Sequence, residues 1–314
     1  MHRYILQRLI LTIPVLALVA FGAFALLRMI PGSIVDLKSG AGQSQADTIR
    51  LKKQFGLDKP IPQQFLIWVG DVAQGNLGES LWSTEPVSNE VKRRFPATIE
   101  LAFMASFFAL LIAIPSGTFA ALYQDSWIDR SLQFFTVLGL AIPNFIIATL
   151  IISLPAIWWG WTPPTGFVKL MDDPIQNVRH LLIPALVLAL AQAAILTRLT
   201  RSAMLEVLRQ DYVRTARAKG LTMRVVTIRH ALRNAMLPVV TVWGLQIAAL
   251  LGGTVIVETI FTIPGMGTAT LTAISRRDYN LAQTFVLIFG LIYVTVSLMV
   301  DLLYAYIDPR IRYT

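Results

Sequence analysis

Residues able to do chemistry are few and scattered along this sequence. The three histidines, His2, His180 and His230, show no His-Glu-x-x-His spacing, and no cysteine accompanies them. A zinc site and a thiolate nucleophile therefore both lack their ligands. No Gly-x-x-x-x-Gly-Lys run is present to cradle a nucleotide phosphate. The chain is read as having no catalytic residue and no metal site, and as non-enzymatic in isolation. What remains is charge and amide in apolar surroundings. Glu100, Glu258 and Asp301 fall toward the ends of long apolar runs, where a carboxylate is expensive and is a functional candidate by default. Lying near run ends, they are read as anchors to water or a basic partner before they are read as substrate contacts. Asn144, after Pro143, and the mid-run Gln192 and Gln246 can line a polar path or join helices by hydrogen bonds. Together with Glu258 they are the candidates to line such a path.

The densest charge lies at 198–233, with nine basic residues (Arg198, Arg201, Arg209, Arg214, Arg217, Lys219, Arg224, Arg229, Arg233) against Glu206 and Asp211. Two short helices, roughly 203–218 and 223–234, are expected there, broken at Gly220, which can take the left-handed conformation that ends a helix. Val213 and Ala216 fall on one face beside Thr215 and Ala218, a small-residue face that another backbone can approach closely. Two readings stand: an elbow that docks into a partner, or a solvated basic loop that only sets topology.

The elements that position these groups are membrane spans. Hydrophobic residues make up 55% of the 314, charged residues 14%, and mean hydropathy is +0.62, well away from a soluble composition. Apolar runs of crossing length occupy Leu9–Leu27, Ala97–Leu122, Leu132–Trp159, Leu181–Thr197, Asn234–Val257 and Ala282–Tyr306. Ala23-Phe24-Ala25 resembles a signal cleavage site. The first run nevertheless exceeds the roughly 7–15 residues of a signal core, and further spans follow, so it is read as an uncleaved helix. Pro143 and Pro155 predict a kink or break in the third span. Residues 31–96 are water-facing, with eight basic and seven acidic side chains and short helices such as Ala46–Phe55. Glu258–Gly267, with Pro264, is a turn or connector. The net charge of +9 follows topology and not a nucleic-acid face. Counted over the side that holds both termini, Arg3, Arg8, Arg130, the nine of 198–233, Arg310 and Arg312 outnumber the basic residues of the opposite short loops, which makes that side cytoplasmic.

Residues 211–238 resemble the cytoplasmic EAA loop of ABC importer permeases, in the form found in the dipeptide, oligopeptide and nickel family. Arg214, Thr215 and Ala216 stand at the three leading positions and Gly220 at the glycine. The general Ile-x-Leu-Pro falls on His230–Arg233 and departs from it, with Leu237-Pro238 following, as is typical of the peptide branch. Supporting stretches are Arg3-Tyr4, Gly56-Leu57-Asp58-Lys59-Pro60, Gly75 to Ser80, Phe95-Pro96-Ala97-Thr98, Glu258 to Phe261 with Pro264-Gly265, Arg277-Asp278-Tyr279 and Asp308-Pro309-Arg310. The resemblance covers nearly the whole chain. It implies an all-α polytopic membrane protein with about six transmembrane helices, in the type I ABC importer transmembrane fold. The implied organisation is a transmembrane helix at 1–30, an external loop with short helices at 31–94, an ABC transmembrane type-1 module at 95–305 carrying the coupling loop 198–234, and a cytoplasmic tail at 306–314.

By the same resemblance, the chain is a permease forming half of the pathway for short peptides or a related small solute, in the bacterial inner membrane. Its partners are a homologous second permease, two ATP-binding subunits that hold ATP and Mg, an extracytoplasmic solute-binding protein and membrane lipid, with no nucleic acid and no cofactor of its own. Arg214, Thr215, Ala216, Arg217, Gly220, Arg224, Arg229 and Arg233 are the implied ATPase-coupling residues. The rival is a proton-coupled secondary transporter relaying through Glu100, Glu258 or Asp301; it calls for matching inverted halves, which the sequence does not display.

Overall fold

The computed structural model describes residues 2–38, 49–50, 52–53 and 55–307, without the side chains of 2–9, 301 and 303–307. Most of the expected Ala46–Phe55 helix, the side chain of Asp301, and the tail with Arg310 and Arg312 therefore lie outside the described residues. Helices dominate: α1 His2–Met29, α2 Ile34–Lys38, α3 Ile61–Ala73, α4 Val87–Leu122, α5 Trp127–Ala141, α6 Asn144–Trp159, α7 Pro174–Leu208, α8 Asp211–Ala218, α9 Met223–Ile260, α10 Met266–Ser275 and α11 Tyr279–Ile307. Five of these (α1, α4, α7, α9 and α11) are long and apolar enough to cross a membrane, and α5 with α6 makes a sixth if the pair is one span.

The expected break in the third span sits at Pro143, where α5 and α6 meet at 95°. Ile142 is extended (φ −92°, ψ 119°), as the residue before a proline prefers. Pro155 lies inside α6 without interrupting it. Three expected spans are longer than their apolar runs. The second begins at Val87, so Lys92, Arg93 and Arg94 ride on α4 and are not loop residues; Glu90 pairs with both arginines. The fourth runs over 35 residues to Leu208. Asp173 starts it by accepting from the amides of Ile175 and Gln176 at 3.0 Å, with Pro174 in the first turn. The fifth begins at Met223 and passes through a π-helical turn, Val226–Leu232. Between Glu258 and Gly267 the connector is short, and α10, which periodicity did not announce, follows it.

Two compact units divide the chain: Met1–Pro96 with Pro264–Val294, and Ala97–Ile263 with Thr295–Thr314. In the first, Phe24 of α1 stacks on Trp68 of α3 at 6.3 Å and meets Phe65 edge-on at 5.3 Å. Ser80 donates to Asp278, and Asn280 donates to the Glu79 carbonyl at 2.9 Å. Two of the motif stretches named above thus meet although about 200 residues separate them. The core of the second unit is built on small residues. Ala109 and Ala113 of α4 pack with Ala189, Ala193 and Leu196 of α7 and Val239 of α9. At Gly117 a side chain would fall 2.6 Å from Thr200 Cβ and 2.7 Å from the Thr197 carbonyl. The α4 and α7 backbones touch there, as small residues permit between membrane helices.

Candidate functional site: a basic elbow and a polar helix seam

The basic segment folds differently from two simple helices. Residues 203–208 belong to α7, which ends at Leu208. A two-residue turn then leads into α8, and Gly220 stops α8 at φ +82°, the conformation only glycine takes without strain. Thr222 is extended and α9 resumes at Met223. Arg198 and Arg201 are accordingly residues of helix α7, not of a loop. The small-residue face is also turned inward: Val213 and Ala216 are buried with Val226 against Val207 and Leu208. They hold the elbow to its own chain and are not open to a partner. Asn234 reinforces the fold, donating to the Tyr212 hydroxyl at 2.7 Å.

What the elbow presents outward is a mixed surface. Arg214, Thr215, Arg217, Lys219, Arg224, Arg229 and Arg233 are exposed, and the Arg214 side chain makes only a loose 3.5 Å contact with Asp211. Between them stand the exposed apolar side chains of Tyr212, Leu221, Met223, Val225 and Ile228. Five large apolar groups therefore stand exposed on a charged turn.

Behind the elbow, Arg201 grips Asp129 through two bonds, Nε to Oδ1 at 2.8 Å and Nη2 to Oδ2 at 2.7 Å. Asp129 is 1% exposed and also accepts from the Asp125 amide at 3.0 Å and Gln133 at 2.8 Å. Four donors saturate the carboxylate, and a bidentate arginine adds fixed geometry to charge. This clamp joins the start of α5 to α7. Counting Arg201 as loop charge concealed it, although Ser126 capping the Asp129 amide is a local signal that a helix starts there.

Of the path candidates, the structure brings two together. Gln192 of α7 donates to the Gln246 carbonyl of α9 at 3.1 Å. Its own Oε1, and both amide atoms of Gln246, are buried without a partner among the described residues. Trp243, one turn away, donates to the Ser106 carbonyl of α4 at 3.4 Å. Asn144 is half-buried in the first turn of α6 beside the bend and is not joined to this seam. Glu258 is fully buried; Thr98 of α4 donates to it at 2.8 Å and Thr254 at 3.1 Å. Glu100 accepts from Asn177 of α7 at 2.5 Å.

Comparison with known proteins bears on the family and the fold. The family model described as binding-protein-dependent transport system inner membrane component matches residues 113–313, and the one for the N-terminal part of such membrane components matches residues 1–102. The chain is 42% identical to the di/tripeptide transport system permease protein DppB of Pseudomonas aeruginosa (strain UCBPP-PA14), covering 100% of this chain and 99% of that one. It is 41% identical, with the same coverage, to the dipeptide transport system permease protein DppB of Escherichia coli (strain K12). Among solved structures, the inward-facing MetNI methionine ABC transporter superposes with a TM-score of 0.57 at 16% identity, over 69% of this chain and 96% of that one, a likeness of fold.

Proposed function

This chain belongs to the family of binding-protein-dependent transport system inner membrane components, and we propose that it is a permease subunit of an ATP-driven importer of short peptides. Full-length relatives named for di/tripeptide and dipeptide transport support that cargo class. In this reading the chain pairs with a homologous second permease to enclose the pathway, because polar cargo cannot cross exposed to lipid. An extracytoplasmic solute-binding protein delivers the cargo. Two ATP-binding subunits, which hold ATP and Mg, dock on the cytoplasmic side. Both termini face the cytoplasm of the bacterial inner membrane, as the excess of basic residues on that side supports.

The observation that carries the proposal is the elbow. Motion in a separate ATPase has to reach the spans through a rigid element, and α8 with the start of α9 is short, internally packed and continuous with two spans. Its outward arginines and apolar side chains are the docking surface; Arg214, Thr215, Arg217, Arg224, Arg229 and Arg233 contact the ATPase, while Ala216 and Gly220 set the elbow's shape. The unpartnered amides of Gln192 and Gln246 are the polar groups we assign to the pathway, and Glu258 to helix anchoring. The proton-coupled rival finds no support among these relatives; of its three relay candidates, Glu258 accepts from two threonines and Glu100 from Asn177.

The test is paired ATPase and uptake activity of the full complex in proteoliposomes. Met223→Asp and Arg217→Glu alter only the exposed surface and should leave insertion and assembly intact while abolishing substrate-stimulated ATP hydrolysis and uptake together. Gly220→Pro, which forces φ from +82° toward about −65°, should do the same by changing the elbow's shape. Normal transport by all three, fully assembled, would remove the elbow from the coupling path.

A further inference from the structure

Away from the elbow, within the unit formed by Met1–Pro96 and Pro264–Val294, a cavity of about 180 Å³ lies at the C-terminal end of α1. That is more than ten times the roughly 10–15 Å³ that one water requires. Its wall carries an unusual concentration of buried polar atoms with no partner among the described residues: Arg28 Nε and Nη1, Trp68 Nε1, Gln283 Nε2 and Gln64 Oε1. Native proteins leave few such atoms, and several on one cavity call for an occupant. Trp68 and Gln283 are 9% and 1% exposed, so bulk water does not satisfy them.

The chemistry of these atoms specifies the occupant. Four of the five are donors, and only Gln64 Oε1 accepts. Of the charged side chains on the wall, Arg28 and Lys59 are cations and Asp71 is the single carboxylate. Arg28 makes no ion pair among the described residues; its guanidinium rests over the Tyr279 ring at 4.1 Å and the Phe24 ring at 4.9 Å, which fixes its plane without neutralising it. A rigid guanidinium suits planar or tetrahedral oxyanions. We propose that this cavity is a binding site for a small oxyanion group, a carboxylate or phosphate, held by Arg28, Trp68 and Gln283. The group belongs either to a free solute or to the headgroup of an anionic phospholipid lying beside α1.

The experiment uses the full chain purified with the subunits it assembles with, in nanodiscs. Thermal unfolding is followed while inorganic phosphate or acetate is titrated at constant ionic strength in phosphatidylcholine discs, and separately in discs with increasing phosphatidylglycerol. A ligand that binds only the folded state raises the unfolding temperature saturably. A saturable rise of several degrees with phosphate or acetate in phosphatidylcholine identifies a free anion. A rise with phosphatidylglycerol alone identifies the headgroup. In either case Arg28→Gln should weaken binding at least tenfold. Trp68→Phe, which keeps the ring and removes only the N–H, should weaken it several-fold, and it remains informative if Arg28→Gln fails to fold. No saturable rise in either series, or an equal rise in wild type and Trp68→Phe, would overturn the proposal and leave a water-filled cavity.

Discussion

Replacing Asp129 by alanine strands the Arg201 guanidinium between α5 and α7. Breaking a buried pair from one side costs about 3–5 kcal/mol, whereas replacing both partners by apolar groups is often nearly neutral. Asp129→Ala should therefore lower the unfolding temperature in detergent by several degrees, and Asp129→Leu with Arg201→Met should recover most of that loss. Glu258 makes a second case. Glu258→Gln keeps an acceptor for Thr98 and Thr254 and should retain wild-type stability and uptake. Glu258→Leu removes the carboxylate that accepts from Thr98 and Thr254 and should lose about 1–3 kcal/mol. Loss of uptake in Glu258→Gln with stability intact would bring back a proton relay. At this scale the sequence was only partly legible. Composition marked Glu258, Gln192 and Gln246 as costly groups, and two of them are neighbours across α7 and α9. Partners were not legible, because Asp129 meets Arg201 from 72 positions away, and nothing local distinguishes a clamped arginine from a solvated one.

Helix contacts supply the next level. Gly117→Ala would drive a methyl into the Thr197 carbonyl and Thr200, and backbone there has little room to move. Overpacking of this kind costs about 1–3 kcal/mol, so the variant should unfold several degrees lower. Gly244→Ala meets the Val300 side chain instead, and Val300→Ala should rescue it. At Gly252 and Gly253 nothing lies within 4 Å, so alanine there should be neutral or slightly stabilising, since glycine weakens a helix interior by roughly 0.5–1 kcal/mol. Unfolding curves of the four variants would separate contact from propensity. Span positions and the Pro143 break were legible because apolar runs and proline act locally. Helix ends were not. α4, α7 and α9 continue past their apolar runs into polar sequence that helical propensity and packing sustain, so Arg198 and Arg201 moved from loop to helix. Ala216, expected to face a partner, is consumed by Val226 and Leu208 of its own chain, a contact that sequence spacing cannot reveal.

For the molecule as a whole, the absence of cysteine makes sidedness measurable. Ser83→Cys and Ser202→Cys both replace exposed residues; the first should react with an impermeant thiol reagent on intact cells, the second only after permeabilisation. The reverse pattern would invert the topology. The family was legible because it rests on motifs spread over the whole chain. The division into units was not, because the first unit is assembled from Met1–Pro96 and Pro264–Val294, stretches no local signal links. That division bears on how the protein is made. On the ribosome, Asp278, which receives Ser80, and Leu287, which packs beside Phe24 and Trp68, are absent until all of Ala97–Ile263 has been synthesised, so the earliest segment to emerge is among the last to be completed. A chain stalled before Pro264 carries an unfinished N-terminal unit however well its later spans have inserted. Pulse-labelled nascent chains truncated at Ile263 should be cleared by membrane proteases far faster than chains extended to Val294.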